Sequence, residues 1–312
     1  MRTHTDASEQ PVRIFEVADR LPEHHSQLSL VWRHFKRDRL AILGGAIVLL
    51  LILVAIFADE LAPYDPAEPL HDGLTAQGMP VASTLPATTR FILGTDSSGR
   101  DLLSRIIFGA RVSLTVGVLA NGLAVIIGVV LGSVGGYFRG WLGALVMRFT
   151  DMMMAFPSLL LAIALVAVLK PSLWVIVLVI GLVQWTWIAR VVCGEVLSLR
   201  EREFVTAAVC AGASSARILF RHILPHLIPT AIVWGTLGIA TNVMLEASLS
   251  YLGIGVQPPT PTWGGMIQQA QYYYRSAPWL MLFPGLAIML TVLSFNLLGD
   301  GFRDALDPYQ RR

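Results

Sequence analysis

The sequence predicts an all-α integral membrane protein with six transmembrane helices, and three observations carry that reading. The 312 residues are 54% hydrophobic and 14% charged, with a mean hydropathy of +0.63, far more apolar than a soluble domain. Six runs of 17 to 23 residues contain no Lys, Arg, Asp or Glu, and a helix needs about 20 apolar residues to cross roughly 30 Å of hydrocarbon. The basic residues are also unevenly shared: with the N-terminus placed in the cytosol, seventeen of the 23 Lys and Arg fall inside and six outside. Positive charge gathers on the cytosolic side, so both termini are expected there.

Residues 1–39 are polar and read as a cytosolic tail rather than a cleavable signal peptide, because no apolar stretch lies near the start. Arg33, Lys36, Arg37 and Arg39 form a basic anchor for the first span, Leu40 to Ala58. That span ends at Asp59-Glu60 and a run of prolines, and residues 59–111 form an extracytoplasmic loop with a short helix from Asp101. Asp96, Arg100 and Asp101 there read as a capped turn with local ion pairing, in preference to a catalytic or ligand cluster.

A five-helix core is expected over residues 112–299. Val112 to Val134 carries Gly128 and Gly132 in a GxxxG pair suited to close helix packing. Met152 to Leu169 contains Pro157, and Leu173 to Ala189 ends in Trp185 and Trp187, read as an interfacial girdle. Leu227 to Leu245 contains Pro229, and the sixth span is Leu280 to Leu298, before a polar tail over 300–312.

Within the segment 190–226, the stretch EFVTAAVCAGASSARILFRHILP from Glu203 to Pro225 is built unlike a loop. Phe204, Ala207, Ala208 and Ala211 recur at helical spacing as a small apolar face. Gly212 interrupts them as a residue at positive φ would, and Ser214 or Ser215 can cap a second helix, with Ile218, Leu219 and His222 on one face and Pro225 as its stop. An amphipathic connector lying on lipid is the competing reading. Lipid-surface helices favour Trp and Leu with Lys, and this stretch has neither Trp nor Lys. Small residues suit close approach of another protein's backbone, so the stretch reads as a docking knob.

Other chemistry is thin. The two lysines, Lys36 and Lys170, lie in no GxxxxGK[ST] loop, so any ATP would be bound by a separate subunit. Ion-driven transporters place ionisable groups at the membrane midplane and often show internal repeats; here only Glu246 comes near, at the outer end of the fifth span. Glu246 reads mainly as a boundary or packing residue, with the translocation path as its other possible place, and Asn121 and Asn296 as hydrogen-bonding packers. GxSxG and HExxH are absent, which argues against a membrane enzyme. Cys193 and Cys210 are expected as reduced thiols with no metal, and a net charge of +2 gives no case for nucleic acid.

Ala207-Ala208, Gly212 and then Leu224-Pro225 resemble the "EAA" loop of ABC transporter permeases, with Thr206 where that family has Glu and His222 where it has Ile. HFKRDRLAILGGAIV, FADELAPYDP, LGTDSSGRDLLSRIIFGARVSL, EASLSYLGIGVQPPTPTWGGMI and PWLMLFPGLAIMLTVLSFNLLGDGFRDALDP resemble the C-type membrane subunit of oligopeptide, dipeptide and nickel importers over most of residues 32–308. The resemblance implies the type I importer permease fold in a bacterial inner membrane, with Glu203, Phe204, Thr206, Ala207, Ala208, Gly212, Ala213, Arg217, Leu224 and Pro225 coupling to an ATPase. It implies as partners a homologous B-type permease, two ABC ATPase subunits that bind ATP and Mg, and an extracytoplasmic binding protein. Asp96, Arg100, Asp101, Arg105, Gln257 and Trp263 are the candidates to face that binding protein, and Glu246 and Asn121 the candidates to line the path. Peptides are the expected cargo, with nickel, glutathione or another small solute as the alternative.

Overall fold

The computed structural model describes residues 35, 36, 38–81, 90–138 and 140–306. Most of the expected N-terminal tail, including Arg33 and Arg37, and the end of the C-terminal tail lie outside the described residues. Every regular element among the described residues is helical, apart from two isolated bridges, Leu74 with Pro80 and Thr95 with Asp101. A backbone in hydrocarbon must satisfy its own hydrogen bonds, and with no barrel the helix is the available solution.

The helices are α1 (Arg39–Ile56), α2 (Ala58–Leu61), α3 (Leu102–Tyr137), α4 (Trp141–Met154), α5 (Ser158–Val168), α6 (Leu173–Arg200), α7 (Glu203–Cys210), α8 (Ser215–Ile218), α9 (Ile228–Tyr251), α10 (Trp263–Ala270) and α11 (Trp279–Leu306). Short polar side chains start several of them: Asp38 accepts from the Leu40 and Ala41 amides, Asp101 from Ser104, Ser172 from Val175 and Thr262 from Gly265. Several hydroxyls inside the spans are spent on their own helix, as Thr236 on the Ile232 carbonyl, Thr291 on Ala287 and Ser294 on Leu290.

Five helices are long and apolar enough to cross a membrane. The expected span from Met152 to Leu169 falls on a bent pair, α4 and α5 meeting at 89° beside Pro157, which is a broken span or a re-entrant loop. Proline removes an amide and clashes with the preceding turn, so the chain bends here instead of running straight through. Other limits also move. The short helix from Asp101 and the second span are one helix of 36 residues, because the Asp101 cap starts a helix that no later residue interrupts. Trp185 and Trp187 sit midway along α6 rather than at its end; Trp185 is buried and stacks on Phe149 at 6.0 Å, so it is a core residue, while Trp187 is exposed. The interfacial-girdle reading is corrected accordingly.

The bundle is organised on the α3–α6 contact, the most extensive in the molecule, with α9, α11 and α1 following alongside. A side chain at Gly128 would meet Ile188 at 2.7 Å, and one at Gly132 would meet the Ala189 carbonyl at 2.6 Å. Gly136 continues the stripe against Cys193 and Val196, so the predicted GxxxG pair is two thirds of a longer seam where two backbones approach closely. Arg111 ties α3 to α1 by donating to the Ala55 and Ile56 carbonyls, at 2.7 and 2.9 Å, which satisfies the end of α1. The outer segment is held down by Trp263, which is buried and donates to the Ile106 carbonyl, and by Arg90 between Tyr64 and Asp72. The Tyr64 hydroxyl and the Asp72 carboxylate hold the Arg90 guanidinium above its ordinary range.

Candidate functional site

The stretch from Glu203 to Pro225 does fold as helix, glycine corner, helix. Gly212 has φ +77°, its amide donates to the Val209 carbonyl, and the Ala213 amide donates back to Ala208. That is the Schellman arrangement, whose left-handed residue glycine adopts at least cost. Ser214, not Ser215, caps α8 by accepting from the Arg217 amide. Pro225 does not end the second helix. A π turn over Leu219–Ile223 and a 3-10 turn over Leu224–Leu227 carry the chain past it into α9, since changing the hydrogen-bond register leaves no bond waiting for the amide that proline lacks.

The corner is fixed by apolar anchors. Val205, Ile218, Ile223 and Leu227 are all at most 2% exposed and join one core with Ala124, Trp185, Ile188, Val192 and Val196 of α3 and α6. Ala208 and Ala213 pack on the same core, and Leu224 with them. The expected apolar face therefore divides: Val205 points in, Ala208 is half-buried, and Phe204, Ala207 and Ala211 face out. Glu203, Thr206, Gly212, Arg217 and Pro225 are exposed too. Thr206, where the resembled loop has Glu, turns its hydroxyl toward the Arg202 carbonyl of its own helix. Cys210 is exposed and Cys193 buried, both free thiols, and no group of three or more potential metal ligands occurs among the described residues.

At the opposite end, five of the six residues expected to meet a binding protein are turned inward within this chain. Asp96, Arg100, Asp101, Arg105 and Trp263 are 1–8% exposed, and Gln257 alone of the six is open. The Asp96 carboxylate accepts from the amides of Ser98 and Arg100 and from Arg100 Nε at 2.7 Å, with Arg105 Nε at 3.3 Å. Arg105 also donates to the Pro66 carbonyl, and Arg100 to Gln269. The capped turn with local ion pairing is what the chain forms, but buried.

The two path candidates are enclosed as well. Glu246 is fully buried and accepts hydrogen bonds from Ser113 of α3 at 3.0 Å and from Ser250 at 2.7 Å. Asn121 donates to the Trp234 and Gly235 carbonyls of α9, and Asn242 donates to it. Within this chain both join α3 to α9, and neither faces an open space.

An open space does exist elsewhere, and the sequence did not single it out. A cleft of about 570 Å³ lies between α6, α9 and α11, with Glu195, His226, Thr230, Trp234, Leu237 and Arg303 among its walls. Thr230 donates to Glu195 Oε2 at 2.6 Å, and the His226 ring stacks on Phe204 with centroids 5.1 Å apart. The cleft thus adjoins the base of α7. Its residues are spread over more than a hundred positions, and the one local signal was Glu195, an acid two turns beyond an apolar run.

Comparison with known proteins decides which family this fold belongs to. The family described as "binding-protein-dependent transport system inner membrane component" matches residues 124–312, and the "N-terminal TM domain of oligopeptide transport permease C" matches residues 26–78. This chain belongs to the binding-protein-dependent ABC permeases. Similar permeases include the dipeptide transport system permease protein DppC of Alkalihalophilus pseudofirmus, 44% identical over 89% of this chain and 88% of that protein. The di/tripeptide transport system permease protein DppC of Pseudomonas aeruginosa is 42% identical over 91% and 92%. The glutathione transport system permease protein GsiD of Escherichia coli is 44% identical over 89% of each. Among solved structures, a chain of the inward-facing MetNI methionine ABC transporter aligns with a TM-score of 0.55 at 17% identity, over 65% of this chain and 97% of that one. That likeness gives the type I permease fold. The chain is a multi-pass membrane permease subunit, and such subunits work with ATPase and substrate-binding components.

Proposed function

We propose that this permease translocates di- or oligopeptides, handed over by an extracytoplasmic binding protein, into the cytosol of a bacterium. The observation that carries the reading is the near full-length similarity to dipeptide and di/tripeptide permeases, at 42–44% identity. Glutathione, itself a tripeptide, is the alternative cargo, favoured by the equal similarity to a glutathione permease.

In this reading the Glu203–Pro225 corner is the cytosolic docking element for an ABC ATPase, and both termini share its side of the membrane. The outward Ala207 and Ala211 support it, because a surface of small side chains lets a partner's groove come close. ATP and Mg are bound by two partner subunits, and this chain hydrolyses nothing; the absence of a phosphate-binding loop supports that division. A homologous B-type permease completes the pathway. Gln257 remains the exposed candidate for binding-protein contact, while Glu246 and Asn121 act as helix ties. Closure of the ATPases on ATP would push on the corner, and the buried anchors Val205, Ile218, Ile223 and Leu227 would carry that motion into α6 and α9.

The test is a pulldown of the solubilised chain, wild type against Gly212→Glu, read by mass spectrometry, with peptide and glutathione uptake measured on the reconstituted transporter. Recovery of an ATPase and a second permease with wild type, loss of the ATPase with the variant, and ATP-dependent dipeptide uptake are expected. A chain that purifies alone, or uptake that follows a proton or sodium gradient, would overturn the reading.

A further inference from the structure

We infer that the cleft between α6, α9 and α11 is a subsite for the two charged ends of a short peptide, Glu195 receiving the ammonium group and Arg303 the carboxylate. The inference rests on the peptide reading above and deepens it.

The cleft measures about 570 Å³, within the roughly 300–1,000 Å³ of small-molecule sites. Two other large clefts, one of about 380 Å³ beside α1 and α3 and one of about 480 Å³ along α11, have mostly apolar walls, as lipid-facing grooves should. This one differs in carrying an acid and a base. Glu195 is half-buried near the end of α6 and Arg303 is exposed near the end of α11. Arg303 makes no ion pair with any described residue, and the only described partner of the Glu195 carboxylate is the Thr230 hydroxyl, on Oε2. Opposite charges on two walls of one cleft, not paired with each other or with another described charge, suit a ligand that carries both signs.

The remaining walls favour the same class of ligand. Val191, Val233, Trp234 and Leu237 offer apolar surface without directional hydrogen-bond groups. Such walls accept side chains of differing size, whereas the charged ends are what free peptides share. Selection by ends alone admits the whole class. A guanidinium can hold a carboxylate through two parallel hydrogen bonds, and the Thr230 bond fixes the orientation of the Glu195 carboxylate.

The experiment uses the assembled permease pair with its ATPases in nanodiscs, free of nucleotide and without the binding protein, whose own selectivity then plays no part. Binding of a dipeptide pool, its N-acetylated counterpart and its C-amidated counterpart is measured for wild type, Glu195→Gln and Arg303→Gln. Wild type should prefer the free pool. Glu195→Gln should weaken the free pool about ten-fold, the size of one charged hydrogen bond, and leave the N-acetylated pool unchanged. Arg303→Gln should do the same with respect to the C-amidated pool. Retained affinity for the blocked pool shows that each variant is folded. Equal weakening of all three pools, no weakening, or no binding by wild type would overturn the subsite. Uptake by the complete wild-type transporter separates the two levels. If it moves dipeptides while the variants show no end-specific change, the subsite falls and the peptide reading stands; if it moves none, both fall.

Discussion

The two ends of the molecule are held together by different physics. At the outer end, the turn around Asp96 is a buried polar network in which two arginines, Arg100 and Arg105, share one carboxylate and are further bonded to Gln269 and the Pro66 carbonyl. At the corner between α7 and α8, the anchors are Val205, Ile218, Ile223 and Leu227, and the polar side chains point away. The charged motif at the outer end is therefore structural, while at the corner the charged side chains Glu203, Arg217 and Arg221 lie on the exposed side. Charge in a loop beside a membrane is weak guidance to which side faces out.

Substitutions can break or sharpen this contrast. Asp96→Ala should have the largest effect, since it strands two buried guanidinium groups, with a loss of about 3–5 kcal/mol. Thermal unfolding of the solubilised chain would show it, and a melting point near wild type would contradict the network. Next comes the seam between α3 and α6. Gly132→Leu must displace Ala189 and Val192 and should cost about 1–3 kcal/mol, read the same way.

At the corner, Val205→Ala should destabilise by about 1–2 kcal/mol through the cavity it leaves, whereas Ala207→Gln on the outward side should stay within about 0.5 kcal/mol yet lose the ATPase in a pulldown. If Ala207→Gln instead melts early and keeps its partner, the two faces of α7 have been assigned the wrong way round. Gly212→Ala should match Val205→Ala in size but arise from a different cause. No atom lies within 4 Å of where its Cβ would stand, so the cost is the backbone alone, about 1–2 kcal/mol, and hydrogen exchange should confine it to α7 and α8.

The spans were legible because charge-free runs are a direct record of the hydrocarbon, and the corner was legible because glycine and serine mark backbone geometry locally. Orientation around a helix was not. Hydropathy gives Trp185 and Trp187 the same weight, yet one stacks on Phe149 in the core and the other faces outward. Pro157 was visible inside an otherwise ordinary span, but the 89° bend beside it depends on packing that no single residue encodes. For the same reason Phe204, Ala207, Ala208 and Ala211 suggested one face, where burial of Val205 divides them. The cleft was least visible, since Glu195, Thr230 and Arg303 meet only after three helices have packed.

The stacked rings of Phe204 and His226 have one more consequence. One ring belongs to the exposed corner, the other to a wall of the cleft, and their planes lie within 15° of each other. His226 is further tethered to the His222 carbonyl at 2.8 Å, so it does not yield to its neighbour independently of the backbone that leads into α9. On the two proposals above, an occupant of either surface that shifted this pair would change the other's affinity, and equilibrium thermodynamics requires the factor to be the same in both directions. A grip on the corner that loosens the cleft's hold on its contents is also a grip that those contents weaken.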